Sequence, residues 1–556
     1  MDARAVSACD VASAAWQDWR SIDWASANQV VRRLQTRIAK ATREGDWRGV
    51  KRLQKLLTHS MSAKALAVRR VTENQGRRTP GVDEETWSTP ESKREAVMSL
   101  TGKGYKPKPL RRVHIPKSNG EKRPLGIPTM KDRAMQALYL LALDPVAETT
   151  ADANSYGFRS HRSTADAIVQ CKNLLARGHS SKWVLEADIK GCFDNISHDW
   201  LLRHIPTDRK VLRRWLKAGV VDMGQLKPTE AGTPQGGIIS PVLANMTLDG
   251  LESLLEERFK SRKHKVHVVR YADDFIVTGS SRELLEAQVR PVVEEFLAER
   301  GLWLSPTKTK ITHVTDGFDF LGWNVRWTRE GFMVKPSKKN RLAHYDKLRQ
   351  VVHRLRSSKQ DVVVAQLNPI IRGWARYHTP VAVSKTSKKM DHLLWGKLWA
   401  WAKRRHPNKG KRWVKQRYFR REGARDWVFA TDEQRLLRYS DFPFREHFKI
   451  KSEANPYDRE WEAYFDEILT RRMTATLNGR KKLAWLYREQ EGRCLVCNQR
   501  ITRQTRWHVH HKVRRVDGGS DKPTNLLLLH PTCHRQIHSR PGGCEAEGKG
   551  RQEVAM

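Results

Sequence analysis

The chain has no long apolar segment. None of its 556 residues falls in an uninterrupted apolar run of eighteen, which is close to the shortest helix that crosses a bilayer. Its first residues, MDARAVSACDVASAAW, lack the basic stretch and apolar core of a secretory signal. No internal repeat is recognisable. We therefore predict a cytoplasmic protein without a membrane partner.

Cysteine is also scarce. Seven cysteines in a chain of this length are too few for a disulfide framework. Four of them are scattered and are predicted to be bystanders. The other three, Cys494, Cys497 and Cys533, lie close together near the C-terminus, which favours a metal site in a reducing compartment.

Acidic residues are few relative to basic ones. The chain has 104 Lys and Arg against 61 Asp and Glu, a net charge of +43 and a pI near 10.3. Residues 331–420 alone hold 24 basic residues against 3 acidic ones. Such a charge favours a polyanionic partner, and without a membrane segment that partner is nucleic acid. The length predicts three or four domains.

Two of the acidic residues are adjacent. Asp273 and Asp274 follow the apolar run 266–269 and precede the apolar run 275–277, so they occupy the tip of a predicted hairpin. An Asp-Asp pair is compatible with an ordinary turn. However, neighbouring carboxylates repel unless a divalent metal neutralises them.

A second acidic strand strengthens the metal interpretation. Residues 182–189 read as a buried strand that ends near Asp188. Three acids on two strands could hold two metal ions about 3.5–4 Å apart, the arrangement that clamps both oxygens in phosphoryl transfer.

The hydrophobic pattern predicts further elements. A basic helix pair is expected over 24–75, either touching nucleic acid or covering a core stripe. A hairpin is expected over 111–128, with its turn at 118–120. Helices are expected over 131–175 with an interruption at 155–159, around 199–222, and over 238–254 after the glycine-rich turn 232–237.

The C-terminal region contains two ligand pairs. Cys494 with Cys497, and His530 with Cys533, are each separated by two residues, which predicts a structural Zn²⁺ site with three thiolates and one imidazole. Further polar residues of interest are His510, His511, Asn525, His534 and His538. A zinc knuckle that only binds nucleic acid is the alternative to a nuclease.

Several blocks in chain order resemble those of a reverse transcriptase. They are Arg123-Pro124-Leu125, Tyr156-Gly157-Phe158-Arg159, Asp188 with Phe193-Asp194, Pro234-Gln235-Gly236, Tyr271-Ala272-Asp273-Asp274, Lys308-Thr309-Lys310 and Phe320-Leu321-Gly322-Trp323. Their spacing and surroundings resemble the bacterial group II intron-encoded proteins over nearly the whole chain. The C-terminal region resembles an HNH endonuclease.

The resemblance implies a multidomain α+β protein with right-hand polymerase fingers and palm, a helical thumb (maturase domain X) and a small zinc-stapled ββα-metal HNH module. The expected domains are an N-terminal helical extension of the fingers (1–78), fingers and palm (79–330), thumb (331–426), DNA-binding connector (427–480), HNH endonuclease (481–545) and tail (546–556).

The resemblance also assigns polymerase residues. Asp188, Asp273 and Asp274 are expected to hold Mg²⁺. Contacts to the deoxynucleoside triphosphate are expected from Lys117, Arg123, Ile189 through its backbone carbonyl, Phe193, Gln235 and Lys308. Phe193 is expected to lie under the sugar and to exclude a 2′-hydroxyl.

Further roles are implied in the thumb and the HNH module. Residues expected to bind RNA are Arg372, Trp374, Arg376, Tyr377, Arg404 and Arg405. In the module, His511 is the expected general base and Asn525 orients its loop. His510, His534 and His538 are expected around a catalytic Mg²⁺ or other divalent ion, while Cys494, Cys497, His530 and Cys533 hold Zn²⁺.

The implied function is that of a retroelement protein. It would bind its parent group II intron RNA, promote splicing, nick a double-stranded DNA target and copy the intron by target-primed reverse transcription, in the bacterial cytoplasm and at the nucleoid when DNA-bound. The alternatives are an RNA-binding splicing factor without an active polymerase, and a reverse transcriptase that serves defence or diversification.

Overall fold

A computed structural model describes residues 18–116, 120, 122–477 and 480–539. Its helices are Trp24–Arg43, Trp47–His59, Met61–Glu73, Pro90–Ser99, Met130–Thr150, Thr164–Leu175, Cys192–Asn195, His198–His204, Arg209–Leu216, Ser240–Leu248, Leu251–Arg258, Arg282–Leu284, Arg290–Ala298, Lys338–Arg354, Gln360–His378, Ser384–Arg405, Lys411–Tyr418, Glu462–Leu477, Lys481–Glu489 and Pro531–Ser539. Among the described residues, no helix has the length and apolar character needed to cross a membrane.

Within the described ranges, the strands form five small sheets. They are Leu110–Pro116, Lys122–Ile127, Trp183–Asp188, Val220–Asp222, Gln225–Lys227, His267–Tyr271, Asp274–Gly279, Lys310–His313, Phe318–Phe320, Trp323–Thr328, Gly331–Pro336, Phe419–Glu422, Arg425–Phe429, His508–His511 and Leu526–Leu529. The protein is therefore a mixed helix and sheet structure, as the sequence predicts.

The N-terminal region consists of three helices, whereas the hydrophobic pattern suggested a pair. Asp23 caps the first helix through the amides of Ala25 and Ser26, and Asp46 caps the second through Gly49. The third begins immediately after Ser60, whose extended backbone ends the second helix. All three pack against Met130–Thr150.

Four antiparallel strands form the central sheet. Their order is His267–Tyr271, Asp274–Gly279, Trp183–Asp188 and Lys310–His313. The register pairs Asp188 directly with Asp274. The predicted strands are thus confirmed, and the chain's two acidic segments meet at the same end of the sheet.

Two predicted helices end earlier than expected. The helical pattern around 199–222 gives way to the strand Val220–Asp222, which runs parallel to the confirmed hairpin strand Leu110–Pro116. The helix expected over 238–254 is broken between Leu248 and Leu251. The break occurs because Gly250 adopts a φ of +97° and Asp249 turns its carboxylate to the buried Arg270.

The thumb has its own hydrophobic core. The long helices Lys338–Arg354, Gln360–His378 and Ser384–Arg405 bury Leu348, Leu367 and similar side chains between them. The stacked rings of Trp323 and Tyr377, with centroids 4.5 Å apart, join this core to the sheet that carries Trp323.

The segment 447–472, within the expected connector, is held against the helix Thr164–Leu175 by a buried carboxylate, Asp166. This carboxylate accepts hydrogen bonds from the Ile450 amide at 2.8 Å and Arg472 at 2.5 Å, and it lies 3.1 Å from His447. Burial alone would raise the pKa of Asp166, but His447 and Arg472 together hold it below the ordinary range.

Candidate polymerase and nuclease sites

The turn that carries the adjacent acids is tight. Tyr271 pairs with Asp274, which leaves a two-residue loop in which Ala272 has a φ of +58°. That conformation is one that glycine adopts more easily than alanine. A Cβ placed on Gly157 would lie 2.3 Å from the Ala272 nitrogen. Gly157 therefore lets the segment 155–159 support the turn from behind.

Buried polar contacts fix the strand that leads into this turn. Arg270 is almost fully buried and forms an ion pair with Asp249. Its Nη1 donates to the Asn245 side chain at 3.3 Å, and Asn245 in turn donates to the Gly157 carbonyl at 2.7 Å. The position of the acids thus depends on the helix Ser240–Leu248, which follows the glycine-rich turn.

The electrostatics of the three acids favour a bound cation. Restricted hydration, followed by repulsion from Asp273 and Asp188, raises the pKa of Asp274 to about 6. The same effects raise the pKa of Asp273, against an opposing influence of Arg123 and Lys308. The Lys308 ammonium lies 3.1 Å from the Asp188 carboxylate. These oxygen donors fit a hard divalent ion such as Mg²⁺.

A cavity of about 420 Å³ lies between the hairpin strands Leu110–Pro116 and Lys122–Ile127 and the segment 227–235, and none of the three acids lines it. It is lined in part by Phe193, Asp194 and Gln235. The Gln235 amide is 3.3 Å from Asp194, and the ring of Phe193 meets that of Phe158 edge to face at 6.2 Å. Phe193 and Gln235, predicted from separate blocks, therefore share one cavity.

The remaining predicted nucleotide contacts lie in several places. Arg123 is exposed on the strand Lys122–Ile127 and acts electrostatically on Asp273. The Ile189 side chain is buried and its backbone bridges to Leu304. Lys117 lies outside the described residues.

The glycine-rich turn packs tightly against the segment that carries Phe193. A Cβ on Gly232 would lie 2.6 Å from the carbonyl oxygens of Phe193 and Asp194. The Thr233 amide donates to the Phe193 carbonyl at 2.7 Å. Glycine at 232 therefore holds the two blocks in contact.

The predicted RNA-binding residues of the thumb divide into two groups. Trp374 donates to Asn340 at 2.7 Å, Tyr377 donates to the Leu321 carbonyl at 2.8 Å, and Arg405 donates to the carbonyls of Arg356 and Ser358. These three stabilise the thumb itself.

The other three thumb residues face outward. Arg372 and Arg404 are exposed and Arg376 is half-buried. Burial and several nearby arginines, Arg480 first among them, lower the pKa of Arg376. A surface that holds like charges so close together would gain from a bound polyanion.

The Cys and His ligand pairs meet as predicted. The donor atoms of Cys494, Cys497, His530 and Cys533 all lie within 4.8 Å of one another, and all four residues are buried. His530 Nδ1 is 3.3 Å from the Cys497 sulfur, while its Nε2 is 3.1 Å from the Arg500 carbonyl. The second contact fixes the ring, as the outer hydrogen bond of a metal-bound histidine does.

A second cluster consists of imidazoles. The donor atoms of His510, His534 and His538 also lie within 4.8 Å of one another. His510 Nδ1 is buried without a hydrogen-bond partner among the described residues, as expected of an atom that receives a metal. Lost hydration and the imidazoles of His538, His510 and His508 lower the pKa of His534 to about 4. The ring is therefore neutral and can ligate.

The predicted general base lies next to this cluster. His511 is adjacent to His510 on the strand His508–His511, and its Nε2 lies 2.7 Å from Asp521. Arg515 donates two hydrogen bonds to the same carboxylate. Hydrogen bonds from His511 and Arg515 lower the pKa of Asp521 to about 2. Asp521 was not predicted from the sequence.

Asn525 holds the loop that follows His511. Its side chain accepts from the Val513 amide at 2.8 Å and donates to the carbonyls of Val513 and Ser520. These three bonds join the loop after His511 to the segment 520–525.

Four family models match successive parts of the chain. The N-terminal domain of reverse transcriptase matches residues 19–100, and the reverse transcriptase (RNA-dependent DNA polymerase) family matches residues 115–325. The group II intron maturase-specific domain matches residues 342–419, and the HNH endonuclease family matches residues 494–540.

Two bacterial relatives extend the comparison. Group II intron-encoded protein LtrA of Lactococcus lactis subsp. cremoris is 30% identical over 343 residues, which cover 49% of this chain and 56% of LtrA. Protein YkfC of Escherichia coli is 35% identical over 317 residues, which cover 49% of this chain and 82% of YkfC. The chain belongs to the group II intron-encoded proteins. Like that family it combines reverse transcriptase, maturase and HNH endonuclease domains.

The fold of this group II intron-encoded protein also has distant likenesses among solved structures. A telomerase from Candida albicans is 14% identical with a TM-score of 0.33, over 56% of this chain and 64% of the telomerase.

Proposed function

We propose that the protein binds the RNA of its parent group II intron and promotes its splicing. It then nicks one strand of a double-stranded DNA target and copies the intron from the exposed 3′ end with deoxynucleoside triphosphates. The observation that carries the proposal is the register of Asp188 opposite Asp274, with Lys308 3.1 Å from Asp188, at the open end of the central sheet.

In the polymerase site, Asp188, Asp273 and Asp274 would hold Mg²⁺. The metal would activate the primer 3′-hydroxyl and stabilise the departing pyrophosphate. Arg123 would contact the triphosphate, and its electrostatic influence on Asp273 supports this role. Lys308 neutralises Asp188 and is free to turn to phosphate once a metal takes its place.

The base and sugar of the incoming nucleotide would lie beside Phe193 and Gln235, which line one cavity. Phe158 supports the Phe193 ring edge to face. A ring held in this way cannot easily move aside for a 2′-hydroxyl, which supports a preference for deoxynucleotides.

In the HNH module, His511 is proposed to take a proton from the attacking water. Asp521 holds its Nε2, so Nδ1 is the nitrogen that accepts the proton. Asn525 keeps the loop in place, and His510, His534 and His538 would hold the divalent ion that stabilises the scissile phosphate. Zn²⁺ in the Cys494, Cys497, His530 and Cys533 cluster is proposed to be structural.

The thumb is proposed to bind the intron through its outward arginines rather than through its aromatic rings. Arg372, Arg376 and Arg404 offer charge to phosphate, while Trp374 and Tyr377 keep the supporting helix in position. The RNA itself would supply the chemistry of splicing.

The polymerase assignment is tested with the double variant Asp273→Ala, Asp274→Ala. RNA-templated primer extension should be lost, while RNA binding remains. Glu295→Ala, an exposed acid on the helix Arg290–Ala298, is the matched control and should extend normally. Near-normal extension by the double variant would overturn the assignment.

The intron assignment is tested by sequencing the RNA that copurifies with the protein. A single RNA with a catalytic intron fold, encoded around the gene, is expected. Copurified RNA unrelated to any intron would favour a reverse transcriptase of defence or diversification. Spliced product without any primer extension by the wild-type chain would favour a splicing factor.

A further inference from the structure

The Cys/His cluster of the HNH module touches the opposite end of the chain. Arg69, on the N-terminal helix Met61–Glu73, directs its Nη2 to the Cys533 sulfur at 3.0 Å and to the Thr532 hydroxyl at 3.2 Å. Arg69 is only 9% exposed. A buried guanidinium from the polymerase side is therefore in direct contact with a thiol of the cluster.

The N-terminal helices determine the orientation of this guanidinium. Its carbon lies 4.4 Å from the centre of the Trp24 ring, and its Nε donates to Glu73 at 3.1 Å. Trp24 in turn is held edge to face by Trp19 at 5.2 Å. The N-terminal helices thus hold the Arg69 guanidinium in position, and its Nη2 is directed to the cluster.

The apolar surfaces around Arg69 are continuous as well. Val68 and Val71, which flank it on the same helix, belong to the same buried cluster as Cys533 and Ile537 of the module. Burial of apolar surface favours this contact whenever the module is folded. The contact made directly to the metal-binding cluster is the one between Arg69 and the Cys533 sulfur.

A metal-loaded cluster would be anionic. Zn²⁺ binds cysteine as the thiolate, so three thiolates and a neutral imidazole around it would carry a net charge of minus one. A hydrogen bond from a cation to an anionic sulfur is roughly twice as strong as one between neutral groups. A buried arginine gains most from the metal-loaded state.

We propose that Arg69 is a positioning residue of the zinc centre, and that zinc binding fastens the HNH module to the N-terminal helices of the polymerase. This inference rests on the zinc site proposed above. Because linkage is reciprocal, docking on Arg69 must tighten zinc binding by the same factor by which zinc tightens docking.

The test uses the zinc-loaded full chain and a chromogenic chelator. Arg69→Met keeps the bulk against Trp24 but removes the charge, and should release zinc about 10-fold faster or more, the usual effect of losing an outer partner of a metal ligand. Arg69→Lys keeps the charge and should fall between Arg69→Met and the wild type. Arg70→Met, the exposed neighbour, is the control and should match the wild type.

Two further measurements separate positioning from packing. Cobalt in place of zinc should show a shifted thiolate charge-transfer band in Arg69→Met but not in Arg70→Met. Hydrogen exchange of residues 61–73 should accelerate when the wild-type protein loses zinc. Thr532→Ala, made on the module side, should raise zinc release by less than Arg69→Met does, because it removes one of the two contacts of Nη2 and leaves the one to the sulfur.

The outcomes are distinguishable. If the purified wild-type protein contains no zinc, the proposed zinc site is wrong. If zinc is present but Arg69→Met releases it at the wild-type rate, Arg69 has no role at the zinc centre. Equal zinc-release rates for Arg69→Met and Arg69→Lys would also contradict that role. Unchanged exchange over 61–73 after zinc removal would overturn the fastening of the module.

Discussion

The polymerase site and the HNH module obtain their metal ligands in different ways. Asp188 and Asp274 stand at the end of a sheet whose strands are held by backbone pairing and an extensive apolar core, so the site forms whether or not a cation is present. Cys494, Cys497, His530 and Cys533 instead lie inside a small module and are themselves buried.

The two sites therefore differ in how the free-energy cost of bringing their ligands together is offset. At the sheet, backbone pairing and the apolar core keep the carboxylates close together despite their repulsion. This repulsion contributes to the raised pKa of Asp274. In the module, the ligands occupy the space that apolar side chains would fill in a larger domain, so binding of metal and folding are one event. Metal removal should therefore silence the first site and unfold the second.

The largest expected effect is on polymerisation. Asp188→Asn keeps the shape of the side chain but removes a charge that balances Mg²⁺, which should lower RNA-templated synthesis by roughly 10³-fold or more. Nicking of target DNA by the same preparation should continue. Loss of both activities would mean that the two sites are not independent.

The second effect concerns the module. Cys497→Ala should abolish nicking and zinc binding, since a structural zinc contributes on the order of 10 kcal/mol to the folding of small zinc modules. Primer extension should remain. Cys171→Ala, at another buried cysteine on the helix Thr164–Leu175, is the control and should retain zinc. Persistence of zinc in Cys497→Ala would contradict the predicted ligand set.

A smaller effect is expected on sugar selection. Phe193→Val opens the cavity beside Gln235 and should reduce discrimination against ribonucleotides by roughly 10- to 100-fold, the range in which a pocket distinguishes small groups. The ratio of kcat/KM for dNTP and rNTP is the measurement. Phe158→Leu should have a weaker effect of the same sign, and an unchanged ratio in Phe193→Val would remove the sugar role.

The smallest effect is on stability. The folded state raises the pKa of Asp274 to about 6, from an ordinary value of about 3.9. It therefore binds this proton more tightly than the unfolded chain, and stability falls as pH rises between those values. Asp274→Asn should raise the Tm of the metal-free protein at pH 7 and leave it unchanged below about pH 4.

Differential scanning calorimetry with and without Mg²⁺ provides that measurement. Added Mg²⁺ should narrow the difference between wild type and Asp274→Asn, because the cation relieves the repulsion that the variant removes. Glu295→Gln, at an exposed side chain of the helix Arg290–Ala298, is the control. A lower Tm for Asp274→Asn at pH 7 would contradict the electrostatic origin of the shift.

Local patterns in the sequence were sufficient to select residues that the structure brings together at the central sheet and in the C-terminal module. Short apolar runs placed Asp188, Asp273 and Asp274 at strand ends, and the spacing of Cys494 and Cys497 indicated a ligand pair without knowledge of the fold. Both patterns extend over only a few neighbouring residues. They can be recognised in the sequence because strands and ligand loops are local structures.

Other features could not be predicted because they depend on distant parts of the chain. Arg69 reads as one more charge on a basic helix, and only the folded protein places it against Cys533. Trp374 and Tyr377 look like candidates for stacking on bases, but their polar atoms are used within the protein. Asp521 looks like an ordinary loop acid until His511 is beside it.

The buried carboxylate of Asp166 has a consequence for how DNA must be handled. It ties the segment 447–472 to the helix Thr164–Leu175 through the Ile450 amide, His447 and Arg472, so the chain between the two proposed centres is bound to the rest of the protein over that segment. If the protein cuts and copies DNA as proposed, the cut strand would have to bend to reach the polymerase site.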